Sequence, residues 1–215
     1  MPKMTRSVEE VDAIREKILN CAFDILIRNS FESLSMSKIG SKMKMTAANI
    51  YNYYANKDEL LIAIHKKAYA MLYEKISYAV EMGDTPLERH DNMTYAFVDF
   101  GIKNPNIYDV MFNRRIRQYS DYVGTSQEDL SFDEFRSSLR VFFLAIKVIR
   151  EYRETRPDLE PVDPKLLAIQ IISALHGIIS LYNSGVFYQI TDDPEADFRK
   201  MVDNALRCVT GQESI

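Results

Sequence analysis

Apolar residues recur along this chain at intervals of three and four, the spacing that lines one face of a helix. Ile14, Ile18, Cys21, Ala22, Ile25 and Leu26 form the first such run. It follows Ser7-Val8-Glu9-Glu10, whose spacing is that of a reciprocal N-terminal cap, and it stops near Asn29-Ser30. Ile39 with Met43, and Ile50 with Tyr54, predict two shorter helices folded against each other. Lys44-Met45-Thr46 between them reads as a tight break and then an N-cap. Asn56 caps a long helix with Glu59 at the reciprocal position, and Leu60, Leu61, Ile64, Ala68, Met71, Leu72, Ile76 and Ala79 make its apolar side up to Gly83.

Thr85-Pro86-Leu87-Glu88 joins a cap, a proline at the first helical position and an acid three residues on, so a new helix runs through Met93, Ala96, Phe97 and Phe100. Asn104-Pro105 ends it, and a shorter helix from Asn106 carries Ile107, Val110, Met111 and Ile116. Ser120 to Asp129 is expected to be a mobile connection. Ser131-Phe132-Asp133-Glu134 then caps a helix with Phe135, Leu139, Phe142, Phe143, Ile146 and Ile149. Asp163-Pro164 and Asp193-Pro194 repeat the cap-then-proline signal, for helices reaching about Ser184 and Thr210. The prediction is an all-α chain of about nine helices: a small N-terminal head, a long connector and a larger helical body.

Composition agrees with a globular chain: 47% hydrophobic and 27% charged residues, with seven Pro and seven Gly. Cys21 and Cys208 sit on helical stretches and are expected as buried thiols in a reducing compartment. The N-terminal MPKMTRSVEE lacks an apolar signal core, and no uninterrupted apolar run approaches the roughly 18 residues of a membrane span, so a cytoplasmic location without membrane insertion is expected. Charge is more informative. The formal net charge is −4, yet Ser33 to Lys57 contains Lys38, Lys42, Lys44 and Lys57 and no acid. Up to Val80 there are 12 basic against 9 acidic residues, and beyond it 15 against 22. A local cationic patch on an acidic chain suits phosphate binding by counterion release while limiting unspecific adhesion.

Catalytic and metal readings find no support. His65, His90 and His176 are the three histidines, and none stands at metal-ligand spacing with the cysteines or a carboxylate pair. There is no phosphate-binding Gly-rich loop and no nucleophile elbow, so neither an enzyme nor a cofactor is expected.

The segment SLSMSKIGSKMKMTAANIYNYYANK, from Ser33 to Lys57, organises the reading. Its second helix begins at Thr46 and offers Ala47, Ala48, Asn49 and Asn52 outward, small and amide side chains that suit close approach to something read by hydrogen bonds. The segment resembles the helix-turn-helix of the tetracycline-repressor (TetR) family. Ile39, Met45-Thr46, Ile50-Tyr51, Tyr53-Tyr54 and Lys57-Asp58-Glu59-Leu60 carry the match, and Tyr-x-Tyr-Tyr-x-x-Lys-x-x-Leu is its most specific part. Gly40 stands where the family usually has Ala, and Lys44 where it has Gly. A non-Gly residue in a left-handed turn costs on the order of 1 kcal/mol or more, so either Lys44 is strained or the turn differs.

The resemblance implies a DNA-binding domain over residues 7–60, with the motif at about 35–54, and a helical ligand-binding and dimerisation domain over 61–215. It places Thr46, Ala47, Ala48, Asn49, Tyr51 and Asn52 at double-stranded operator DNA. Asn49 and Asn52 are candidates to pair with adenine, while Tyr51, Ser35, Ser37 and Lys57 would hold phosphates. Tyr53 and Tyr54 are expected to pack the second motif helix on the first. The family forms homodimers through a four-helix bundle of the last two long helices, and the apolar excess between Leu166 and Leu181 fits that.

For the body the resemblance implies a pocket for an unidentified apolar or aromatic effector. Its candidate residues are Phe97, Phe100, Tyr108, Met111, Phe142, Phe143, Ile146, His176 and Asn183; the alternative is that they are simply core. The function implied is a repressor released from a palindromic operator by a small molecule. The alternative is a helical small-molecule-binding or scaffold protein without DNA affinity.

Overall fold

The computed structural model describes residues 7–114 and 117–211, and the side chain of Cys208 is not among what is described. Ile116, expected on the sixth helix, lies outside the described residues. Among them are ten α-helices and no strand: α1 Val8–Arg28, α2 Met36–Lys42, α3 Ala47–Ile50, α4 Lys57–Glu81, α5 Pro86–Lys103, α6 Pro105–Tyr108, α7 Glu128–Glu154, α8 Pro164–Asn183, α9 Phe187–Ile190 and α10 Pro194–Thr210. The helix beyond the expected nine is α9, a single turn after the left-handed Gly185 (φ +78°). A π-helical turn, Asp109–Asn113, extends α6.

The predicted caps are present. Glu10 N donates to Ser7 Oγ at 3.2 Å while Ser7 N donates to Glu10 Oε2 at 3.0 Å, and Thr85 with Glu88 repeats the arrangement at α5. Asp163 and Asp193 cap α8 and α10 ahead of their prolines. The start of α7 differs from expectation. It begins at Glu128, where Glu128 Oε2 accepts from Gly124 N at 2.7 Å and Thr125 Oγ1 accepts from Gln127 N at 3.3 Å. Ser131 therefore sits inside the first turns, its hydroxyl donating back to the Glu128 carbonyl at 2.9 Å rather than capping anything. The polar stretch before α7 is built from turns, including a 3₁₀ turn at Tyr119–Asp121.

The chain divides into two compact units, one within Met1–Tyr69 and Asn106–Ser137, the other within Ala70–Pro105 and Ser138–Ile215. In the first, Ile18, Ala22, Ile25 and Leu26 of α1 form a core with Ile39 of α2 and Ile50 of α3, all buried. Cys21 is half-buried there, and burial pushes its thiol up. In the second unit α8 packs on α10 and α5. Leu167, Ala168, Ile171, Leu175, Ile178 and Ile179 form its buried stripe. By length and composition α8 could cross a membrane, with a mean hydropathy of 1.5, and this stripe is what its apolar character serves in the unit. Its other side leaves Leu166, Ile169 and Leu181 exposed.

Candidate nucleic-acid interface

The turn between α2 and α3 is set by how α2 ends. Lys44 takes a left-handed conformation with φ +56°, the one non-glycine among the described residues to do so. Met45 N then reaches back to the Gly40 carbonyl at 2.8 Å and Lys44 N to the Ser41 carbonyl at 3.2 Å. That pair of bonds is the Schellman closure, which normally has glycine at the left-handed place. Gly40 belongs to the same construction, because a Cβ there would stand 2.7 Å from the Met45 carbonyl oxygen. The two departures from the family pattern thus meet at one turn, in which the backbone passes over α2 too closely for a methyl group.

Lys44→Gly is expected to stabilise the chain by about 0.5–1 kcal/mol in a denaturant titration by relieving this conformation. If Lys44 also touches a phosphate, the same substitution lowers the salt slope of DNA binding by about 1.

Thr46 caps α3 as expected, its Oγ1 accepting from Asn49 N at 3.2 Å. Around this four-residue helix Thr46, Ala48, Tyr51 and Asn52 are exposed, whereas Ala47 and Asn49 are half-buried. Asn52 Nδ2 donates to Asn49 Oδ1 at 3.3 Å, so the two amides form one hydrogen-bonding surface. Ser35 caps α2 through Lys38 N at 3.2 Å; Ser35, Ser37 and Lys57 are exposed. All nine proposed DNA-facing residues lie in the first unit on the acid-free segment.

Arg15 of α1 fixes that surface from behind. Its Nη2 lies 2.8 Å from Glu59 Oε1, its Nη1 donates to the Tyr53 carbonyl, and its guanidinium stands 4.5 Å from the centre of the Tyr54 ring. Tyr54 returns a hydrogen bond from its hydroxyl to the Arg15 carbonyl at 3.2 Å, and burial pushes its phenol up to about 12. Tyr53 and Tyr54 are both buried. Glu59 N donates to Asn56 Oδ1 at 2.8 Å, while Glu59 Oε2 accepts from Ala55 N at 2.6 Å and not from the cap residue itself. No pattern in the sequence marks Arg15 for this role. A basic residue on an amphipathic helix looks solvated, and its partners lie about forty positions away, at Tyr53, Tyr54 and Glu59.

The effector candidates fall in both units. Tyr108 and Met111 are buried in the first, with Tyr108 4.7 Å from Phe112 between ring centres. In the second, Phe97, Phe100 and Ile146 are buried, Phe142 and His176 are half-buried and Phe143 is 59% exposed. Asn183 is exposed and donates to the Gly101 carbonyl at 3.1 Å. Phe97 lines an apolar cavity of about 40 Å³ with Met93, Val141, Ile171 and Leu175, room for about one water.

A capped short helix, turned sharply off a second and presenting small and amide residues on a cationic face, is the helix-turn-helix architecture of DNA-binding regulators. The family model for bacterial regulatory proteins of the tetR family matches residues 18–64. The model for the tetracyclin repressor-like C-terminal domain matches residues 91–205. The chain belongs to the TetR family of transcriptional regulators.

Among curated proteins it is similar to the nucleoid occlusion factor SlmA of Mannheimia succiniciproducens, 22% identical over 173 residues, covering 80% of this chain and 76% of that one. A protein of unknown function from Rhodococcus sp. RHA1 shares the fold at TM-score 0.72 and 17% identity, covering 96% of this chain and 97% of that one. The TetR family regulator PfmR of Thermus thermophilus does so at 0.61 and 17%, covering 92% of this chain and 100% of that one.

Proposed function

We propose that this chain binds a palindromic operator as a homodimer and represses transcription until a small molecule releases it. The observation that carries the DNA reading is the exposed face of α3 within a segment holding Lys38, Lys42, Lys44 and Lys57 and no acid. One such short helix reads too few base pairs, so two heads are needed roughly 34 to 36 Å apart. The exposed apolar side of α8, with Leu166, Ile169 and Leu181, supports pairing through that helix. Membership of the family supports the rest, and an effector coupling of about 1–3 kcal/mol, some 5- to 150-fold in affinity, suffices for control.

The test is to map the purified protein on its own upstream DNA and titrate the bound duplex against salt. A steep fall of affinity with salt at a palindromic site is expected. A monomer indifferent to duplex DNA at low ionic strength would end this reading. Within it, Asn49→Ala should cost about 1–3 kcal/mol of discrimination between operator and unrelated DNA. Lys57→Ala should weaken all duplexes alike and reduce the salt slope by about 1. Equal effects of the two on discrimination would refute this division of labour.

A further inference from the structure

The first unit contains a cavity of about 460 Å³, within the roughly 300–1,000 Å³ of small-molecule sites. None of the nine effector candidates lines it. Leu61, Ile62, Phe31 and Tyr122 give it apolar and aromatic walls. Its inner lining carries the carboxyl of Glu134 beside the buried ring of His65. His65 is 2% exposed, its Nε2 has no hydrogen-bond partner, and its Nδ1 lies 3.9 Å from Glu134 Oε1, too far for a hydrogen bond. Among the described residues no Lys or Arg comes within ion-pair distance of Glu134.

Burial lowers the imidazole to about 4, against the opposing pull of the Val110 carbonyl, and raises the carboxyl to about 7. At neutral pH the ring is therefore uncharged and gives Glu134 no counter-charge, and the carboxyl is poised to ionise if a positive group arrives. A donor-rich cation in the cavity would give Glu134 the counter-charge and hydrogen bonds it lacks.

The outer lining has the opposite character. Arg117 is exposed there and Arg114 half-buried, the first paired with Asp58 at 3.1 Å, the second with Glu32 at 2.6 Å and Asp109 at 2.7 Å. A guanidinium is a fork suited to an acidic group. We infer that this cavity binds a small zwitterion, its protonated nitrogen held by Glu134 and its acidic end by Arg114 and Arg117.

That the occupant is the effector rests on the regulatory reading above. Glu32 lies in the 3₁₀ turn before α2, and Asp58 in the first turn of α4. An acid that draws Arg114 and Arg117 away from them loosens the tie between the 106–137 segment and the DNA-reading head.

Calorimetry on the full chain tests the site without DNA, using 4-(aminomethyl)benzoate, 6-aminohexanoate, 4-methylbenzoate and benzylamine as probes. At least one of the two zwitterions is expected to bind tenfold or more tighter than both single-ended probes. Glu134→Gln should bring its affinity down to that of 4-methylbenzoate, and Arg117→Met should weaken it severalfold while leaving benzylamine binding unchanged, with unchanged circular dichroism in both variants. No zwitterion advantage, or one that survives Glu134→Gln, overturns the proposal. A second titration with operator DNA separates the two readings. Zwitterion binding with constant operator affinity keeps the site and removes its regulatory role, whereas zwitterion binding by a chain that ignores DNA overturns the regulatory reading alone.

Discussion

Arg15→Ala is expected to lower the stability of the chain by about 2–4 kcal/mol and to weaken operator binding far more than removal of any single DNA-facing lysine. One guanidinium here makes an ion pair with Glu59, donates to the Tyr53 carbonyl and covers the Tyr54 ring. These three contacts join α1 to the turn that leaves α3. The Arg15 and Glu59 side chains are 31% and 15% exposed, so truncation leaves a carboxylate and a backbone carbonyl short of partners where water reaches them poorly. Because Arg15 lies behind the proposed reading surface, its loss should act by freeing α3 to tilt. Arg15→Lys keeps the charge but not the fork and should recover only part of the effect. A urea titration of the full chain beside an operator titration gives both quantities, and an unchanged midpoint would show that the clamp stabilises nothing.

What the sequence disclosed and what it hid follow from the range of the interactions. Caps such as Ser7 with Glu10, Thr46 with Asn49 and Asp193 before Pro194 use residues one to three positions apart, so their side-chain chemistry is visible in one turn of chain. The left-handed turn at Lys44 was visible as a conflict, because a tight break was required where no glycine stood. Ser131 to Glu134 has cap spacing without being a cap, again for a local reason. The spacing of a capping box also occurs inside amphipathic helices, and the earlier turn closed by Gly124 and Glu128 decides where α7 starts.

The cavity around His65 was hidden because α4 supplies Asp58, Leu61, Ile62 and His65 while the other wall arrives from Arg114, Arg117, Tyr122 and Glu134, some fifty residues or more later. No periodicity announces such a meeting. The same limit applies to the aromatic effector candidates. Helical spacing identifies an inward face but not whether space remains beside it, and the cavity at Phe97 has only about 40 Å³.

Ile169→Glu is expected to leave each chain folded and to abolish pairing, which makes it the most damaging single change for operator binding. Ile169 is 44% exposed, in line with Leu166 at 50% and Leu181 at 38% on the side of α8 turned away from its own core. Ser173, Ala174 and Gly177 on that side are exposed too, and a Cβ at Gly177 would meet nothing within 4 Å. Small residues between apolar ones let a second helix approach closely. A glutamate buried in an apolar helix-to-helix contact of this kind would lack a counter-charge.

Within one chain the substitution touches solvent and should change stability by no more than about 0.5 kcal/mol. On the proposed dimeric reading, operator affinity depends on two heads binding as one unit, and separating them forfeits a gain on the order of 10²- to 10⁴-fold. Sedimentation equilibrium should report a monomer, and the operator titration should fall to the level of unspecific DNA. A dimer that persists with full affinity would move the pairing surface off this face of α8, leaving the exposed Leu166, Ile169 and Leu181 without the role proposed for them.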